Sequence, residues 1–259
     1  MPGSFSIAAN ASSFFTEIGA LSHFAGRFFK ELFSRPFEFR EFLRQCYQMG
    51  NKSLVLVAIT GFILGLVFTL QSRPTLMEFG AVSWMPSMIS ISIVREIGPV
   101  IIALICAGRI GSSIGAELGS MKVTEQIDAM EVSGTNPFKF LVVTRIFAAT
   151  LMLPILILIG DFVALVGSAL VENVKGDVSF LLYFNQVFEA LEFSDLLPAT
   201  VKSFFFGFAI GLVGCFKGYN SNKGTAGVGK AANSAVVFTS LLLFVIDFIA
   251  VFVSDVIYG

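Results

Sequence analysis

Residues 53–72 form a run of twenty without a single charge, close to the ~20 mainly apolar residues a helix needs to cross the hydrocarbon core of a bilayer. Four more stretches qualify: residues 88–115, 146–171 (interrupted by Pro154 and Asp161), 196–216 (with Lys202 inside) and 233–256 (with Asp247 inside). Lipid offers no hydrogen bonds to an exposed backbone, so five such stretches predict an all-α integral membrane protein. Composition agrees. The 259 residues are 55% hydrophobic and 14% charged, against about 25% charged in a soluble domain. One membrane domain is expected over residues 1–259, with residues 1–52 ahead of a five-span bundle at 53–259.

Lys and Arg are placed asymmetrically. Eleven fall before the first span or in the loops after spans two and four, against three (Arg73, Arg95, Lys175) on the other side. The positive-inside rule then sets the N-terminus in the cytoplasm and, with five spans, the C-terminus outside. Residues 24–47 are amphipathic. Phe28, Phe29, Leu32 and Phe33 repeat at helical spacing, Pro36 interrupts, Phe39, Phe42, Leu43, Cys46 and Tyr47 resume, and Arg27, Lys30, Arg35, Arg40 and Arg44 lie between them. A basic and aromatic segment just ahead of a span predicts an interfacial helix. Residues 1–23 lack the charge and apolar order of a cleavable signal, so insertion is expected to rely on the spans. Net charge is −1, without the basic excess that binds nucleic acid. A single His, and Cys46, Cys106 and Cys215 without a CxxC pair, predict no metal site, disulfide framework or redox motif.

Arg95 and Glu96 stand out. Arg95 lies about 10 Å into a span that starts near Met88, and a charge at that depth normally faces a cavity or a partner. Neighbouring helical positions diverge by ~100°, so the two cannot neutralise each other side by side. Pro99 removes the donor to the Arg95 carbonyl and predicts a kink beside Gly98 that leaves a polar notch. The pair reads either as the polar mouth of an amphiphile cavity or as a structural ion pair, with Arg95 snorkelling outward as a third possibility. Asp161, Lys202 and Asp247 have no evident partners in the sequence.

Gly111, Gly115 and Gly119 recur every fourth residue, as do Gly61 with Gly65 and Gly207 with Gly211. Such ridges let helices approach closely, within one chain or across a dimer. Residues 124–132, TEQIDAMEV, predict a short helix joining spans two and three, capped by Thr124 and stopped by Gly134 and Pro137. Glu125, Asp128 and Glu131 would rim two apolar knobs, Ile127 and Met130. GTAGVGKA, residues 224–231, approaches a phosphate-binding loop but has Ala231 where the magnesium-binding hydroxyl belongs, and no strand precedes it. A loop is expected there, not a nucleotide site.

The run REIGPVIIALICAGRIGSSIGAELGSMKVTEQIDAM, residues 95–130, together with LLLFVIDFI in the last span, resembles the MlaE family of ABC transporter permeases. The resemblance extends over most of the chain, QSRPTLMEF after span one being less typical. It implies a permease with an elbow helix and five spans, acting as a homodimer in the bacterial inner membrane. Its implied partners are a separate cytoplasmic ATPase that binds ATP and Mg, a STAS-domain regulatory subunit and a periplasmic hexameric ring of MCE-domain subunits. The implied substrate is glycerophospholipid, moved between inner and outer membranes to maintain outer-membrane asymmetry. By the same resemblance Phe68, Leu76, Phe79, Arg95 and Glu96 line the lipid cavity. Glu117, Thr124, Glu125, Gln126, Asp128, Met130 and Glu131 belong to the region that meets the ATPase. No catalytic residue and no cofactor of its own are implied for this chain. Two rivals are an ion-coupled carrier using Asp161 and Asp247, and a structural anchor for a periplasmic lipid-binding ring.

Overall fold

The structure is a computed structural model that describes residues 4–34, 38–176, 178–221 and 224–258. Every regular element among them is helical, in the order α1 (Ser4–Leu32), α2 (Phe39–Glu78), α3 (Val82–Val123), α4 (Gln126–Val132), α5 (Phe138–Gly176), α6 (Phe180–Ala190), α7 (Phe193–Tyr219) and α8 (Thr225–Tyr258). Five of these, α2, α3, α5, α7 and α8, are long and apolar enough to cross a membrane. The all-α membrane fold expected from the five stretches is the one observed.

The spanning helices run for 27 to 42 residues, well beyond the ~20 that a bilayer core requires. They project past the apolar layer, so hydropathy locates the spans but not their ends. Thus α2 begins at Phe39, and the second half of the amphipathic stretch belongs to the first span's helix. Arg35 and Pro36 lie outside the described residues. The first half lies in α1, where Phe24 and Phe28 are buried while Phe29, and Phe33 just past its end, stay exposed. Phe24 meets Phe138 edge-on at 5.0 Å, the Arg27 guanidinium lies 4.1 Å from the same ring's centre, and Glu17 pairs with Lys217. One face of α1 is therefore docked on α5 and α7.

Glycines set the spacing between helices. A Cβ on Gly61 would lie 2.4 Å from the Gly160 carbonyl oxygen, and one on Gly65 1.8 Å from that of Ala164, so α2 and α5 touch backbone to backbone. Gly207 faces the Ala149 carbonyl of α5, Gly218 faces Gly115 of α3, and Gly115 in turn faces Ala231 and Ala232 of α8. All three ridges read from the sequence thus seat neighbours within one chain, as close packing in lipid requires.

The larger apolar cluster lies towards α4 and includes Phe24, Phe138, Ile127 and Phe216. A smaller one, around Met85, Ile89, Ile93, Ala169, Tyr183 and Val187, lies towards the opposite end. The sequence reading missed α6, the short helix between spans three and four. Ser179 caps it by accepting from the Leu182 amide at 3.3 Å, and Tyr183 and Val187 plug it into the smaller cluster. The hydroxyls of Thr69 and Tyr183 both lie 2.7 Å from Ser168 Oγ. Burial pushes the Tyr183 phenol up to about 12, with the Ser168 hydrogen bond working the other way, so it stays a neutral donor. Beside it Arg73 pairs with Glu172 at 2.7 Å and donates to the Lys175 carbonyl at 2.7 Å, tying α2 to α5 at this end.

Candidate functional site

The polar notch expected at Pro99 takes the form of a π turn at Ile93–Ile97, within α3. Pro99 offers no N–H to the preceding turn, and the Gly98 amide donates to the Ile93 carbonyl, one residue further back than in an α-helix. Gly98 is required there for a second reason: a Cβ would fall 1.9 Å from Asp161 Oδ1. The wide turn sends its two charges to different neighbours. Arg95 Nη1 lies 3.7 Å from Asp195 Oδ1 of α7, and Glu96 pairs with Lys202, also of α7. Lys202 Nζ further donates to Asp247 Oδ1 of α8 at 3.0 Å. Three helices therefore converge on Lys202, which is only 4% exposed. The acids that the sequence left without partners are resolved differently: Asp247 joins this cluster, whereas Asp161 stays buried with Oδ1 unbonded among the described residues.

Beside the cluster a groove of about 490 Å³ runs between α7 and α8, lined by Leu197, Val201, Phe205, Ile246, Ile249 and Val253, with Lys202 in its wall. A second, narrower pocket shares Pro198, Lys202, Ala250 and Ser254 with it and contains Arg95 and Glu96. Charge and apolar surface thus adjoin, and the Arg95 side chain is 46% exposed, so its long contact with Asp195 leaves guanidinium donors open.

The five residues assigned to a lipid cavity are not one group in this chain. Arg95 and Glu96 join the charged cluster. Phe68 and Leu76, on α2, pack half-buried against the smaller apolar cluster, and Phe79 is 80% exposed just past the end of α2. The reading of the sequence missed Asp195 and the apolar wall of the groove. Leu197, Val201 and Phe205 recur every fourth residue beside Lys202, a signal that was available.

At the far end of α3 the Thr124 hydroxyl donates to the Ser120 carbonyl at 2.9 Å instead of capping α4. The cap position falls to Glu125, whose φ of 58° makes the sharp turn between the two helices. The stop is as expected. Thr135 N–H donates to the Met130 carbonyl and Gly134 N–H to that of Glu131, with Gly134 at φ 80°, a Schellman ending. The two knobs point inward: Ile127 is buried and Met130 packs on the larger cluster. They anchor α4, which shows its outer side through Thr124, Glu125, Gln126, Glu131 and Val132. Asp128 pairs with Lys122 at 2.9 Å. Glu117 stands apart, two turns up α3, where it pairs with buried Arg145 at 2.9 Å. GTAGVGKA is not a loop: from Thr225 onward it forms the first turns of α8.

The family model described as Permease MlaE matches residues 42–253. The chain belongs to the MlaE permease family. It is 37% identical over 244 residues to a probable ABC transporter permease protein of Rickettsia felis, covering 94% of each chain. A probable ABC transporter permease protein of Synechocystis is 33% identical over 237 residues, covering 92% of this chain and 90% of that one. The chloroplastic protein TRIGALACTOSYLDIACYLGLYCEROL 1 of Arabidopsis thaliana is 32% identical over 225 residues, covering 87% of this chain and 64% of its own. The part of this MlaE permease that matches the family takes in the whole charged cluster and α4, while α1 precedes it. As a permease it is a transport subunit.

Proposed function

We propose that this MlaE permease moves glycerophospholipid, and that Arg95, the Lys202 cluster and the groove between α7 and α8 form its cargo site. The observation that carries the reading is the junction of open guanidinium donors with an apolar groove. A phosphate would sit on Arg95 through charge-assisted hydrogen bonds, its acyl chains along Leu197, Val201 and Phe205. The name of the Arabidopsis relative is that of a diacylglycerol lipid, which supports a glycerolipid cargo, and the phosphate rests on Arg95. Arg95→Glu should lower co-purified phospholipid about tenfold or more, the value of one charge-assisted contact, with oligomer mass unchanged. Normal lipid occupancy by mass spectrometry would remove Arg95 from the site.

The power source in this reading is a separate cytoplasmic ATPase that binds ATP and Mg. It would dock on the outer side of α4, with a STAS-domain subunit regulating it and a hexameric MCE-domain ring receiving lipid outside. The Lys and Arg asymmetry supports an inner-membrane chain with its N-terminus and α4 in the cytoplasm. The permease would act as a homodimer, maintaining outer-membrane lipid asymmetry. Glu125→Lys combined with Asp128→Lys should abolish co-purification with the ATPase by reversing the charge of the docking side. Lipid-dependent hydrolysis at the normal rate in that double variant would refute the coupling role. The unpartnered Asp161 favours the ion-coupled rival, which requires transport to follow a proton gradient with no ATPase present.

A further inference from the structure

A second polar pocket lies between α2 and α3 at the α4 end, lined in part by Gln45, Lys52, Ser53, Arg109, Ser113 and Glu117. From this pocket we infer a site for the phosphate of an anionic phospholipid in the leaflet on that side. Lys52 and Arg109 are exposed, and their side chains make no hydrogen bond or ion pair among the described residues. The Glu117 charge is already matched by Arg145, which is 1% exposed, so the two cations remain uncompensated. Ser53 is buried to 2% exposure, yet its Oγ has no hydrogen-bond partner among the described residues. Such a group in a pocket wall calls for a ligand or a bound water.

Depth and neighbours favour a lipid as occupant. Lys52 is the last charge before the uncharged run that opens at Ser53, so the pocket sits at the edge of the apolar layer, where headgroup phosphates lie. Leu56, Ile59 and Ile63 continue the Lys52 side of α2 at helical spacing and are exposed, a track on which an acyl chain can lie. The site is distinct from the cargo site: Arg109 lies about 20 Å further along α3 than Arg95. It holds whether or not the cargo reading does.

The test is native mass spectrometry of the full chain from nanodiscs of phosphatidylcholine with and without phosphatidylglycerol. Wild type should retain phosphatidylglycerol selectively. Lys52→Gln and Arg109→Gln should each cut that selectivity roughly tenfold or more, and Ser53→Ala a few-fold, in line with charged and neutral hydrogen bonds. Ser53→Ala should do so without loss of thermal stability, because it removes a buried hydroxyl that has no partner. Lys175→Gln, outside both sites, should leave the selectivity intact. Equal selectivity in wild type and Arg109→Gln would overturn the inference. So would displacement of phosphatidylglycerol by excess inorganic phosphate, which would assign the pocket to the free ion. Disulfide cross-linking of two chains through Ser113→Cys, with no selectivity in wild type, would give the face to a second copy.

Discussion

Lys202→Met is expected to destabilise the bundle by about 3 kcal/mol and to abolish lipid handling, the larger of the two effects being on folding. The ammonium is almost fully buried, and both Glu96 and Asp247 turn their carboxylates to it. Removing it leaves two acids without a cation inside a membrane span, which costs far more than the ion pair itself contributes. Glu96 keeps 36% of its side-chain surface exposed, so the estimate belongs at the low end of the range for buried pairs. The check is thermal unfolding in detergent across a set of variants. Lys202→Met combined with Glu96→Gln and Asp247→Asn should recover most of the stability without recovering lipid binding. Equal stability of Lys202→Met and wild type would show that the cluster is already solvated.

Gly65→Ala is the second large effect. The new methyl would be placed 1.8 Å from the Ala164 carbonyl oxygen. A backbone oxygen inside α5 cannot turn away as a side chain could. The helices must separate, and overpacking of this kind costs about 1–3 kcal/mol or more. The top of that range is expected, because the shift would also disturb the Thr69–Ser168–Tyr183 and Arg73–Glu172 contacts one to two turns further on. Gly26→Ala in α1, where a Cβ meets nothing within 4 Å, should instead stabilise by ~0.5–1 kcal/mol through helix propensity. Matching unfolding temperatures for the two variants would show that α2 and α5 are not in backbone contact.

The bundle was legible because lipid makes two demands that show in a linear sequence. Each span must be apolar for ~20 residues, and close approach needs small residues in register. The 53–72 run and the Gly61, Gly65 pair satisfy both. Helix ends were not legible, since α2 and α3 continue into water where hydropathy is silent. The charged cluster was half legible. Arg95 and Glu96 announced themselves by depth, but Glu96 and Lys202 are 106 positions apart, and only tertiary packing brings them together. The inward direction of Ile127 and Met130 depended on where the turn at Glu125 aims α4, which spacing does not reveal. α6 was missed because eleven residues with polar Asn185, Gln186 and Glu189 fall below any spanning signal.

Besides the wide turn at Ile93–Ile97, α3 holds a second at Ala107–Gly111, and the two differ in one respect that bears on how the helix can move. A turn holding one extra residue can in principle travel along its rod, and each step re-aims the side chain it passes by about 100°. At residues 93–97 that travel is blocked on one side, because the imino acid at position 99 can supply no amide to complete the next wide turn. The bearings of Arg95 and Glu96 are therefore held against a shift in that direction. The turn at Ala107–Gly111 has no proline beside it. Of the two, it alone meets no proline at the next step in either direction, so a shift of this turn would rotate the lower half of α3 relative to the upper half.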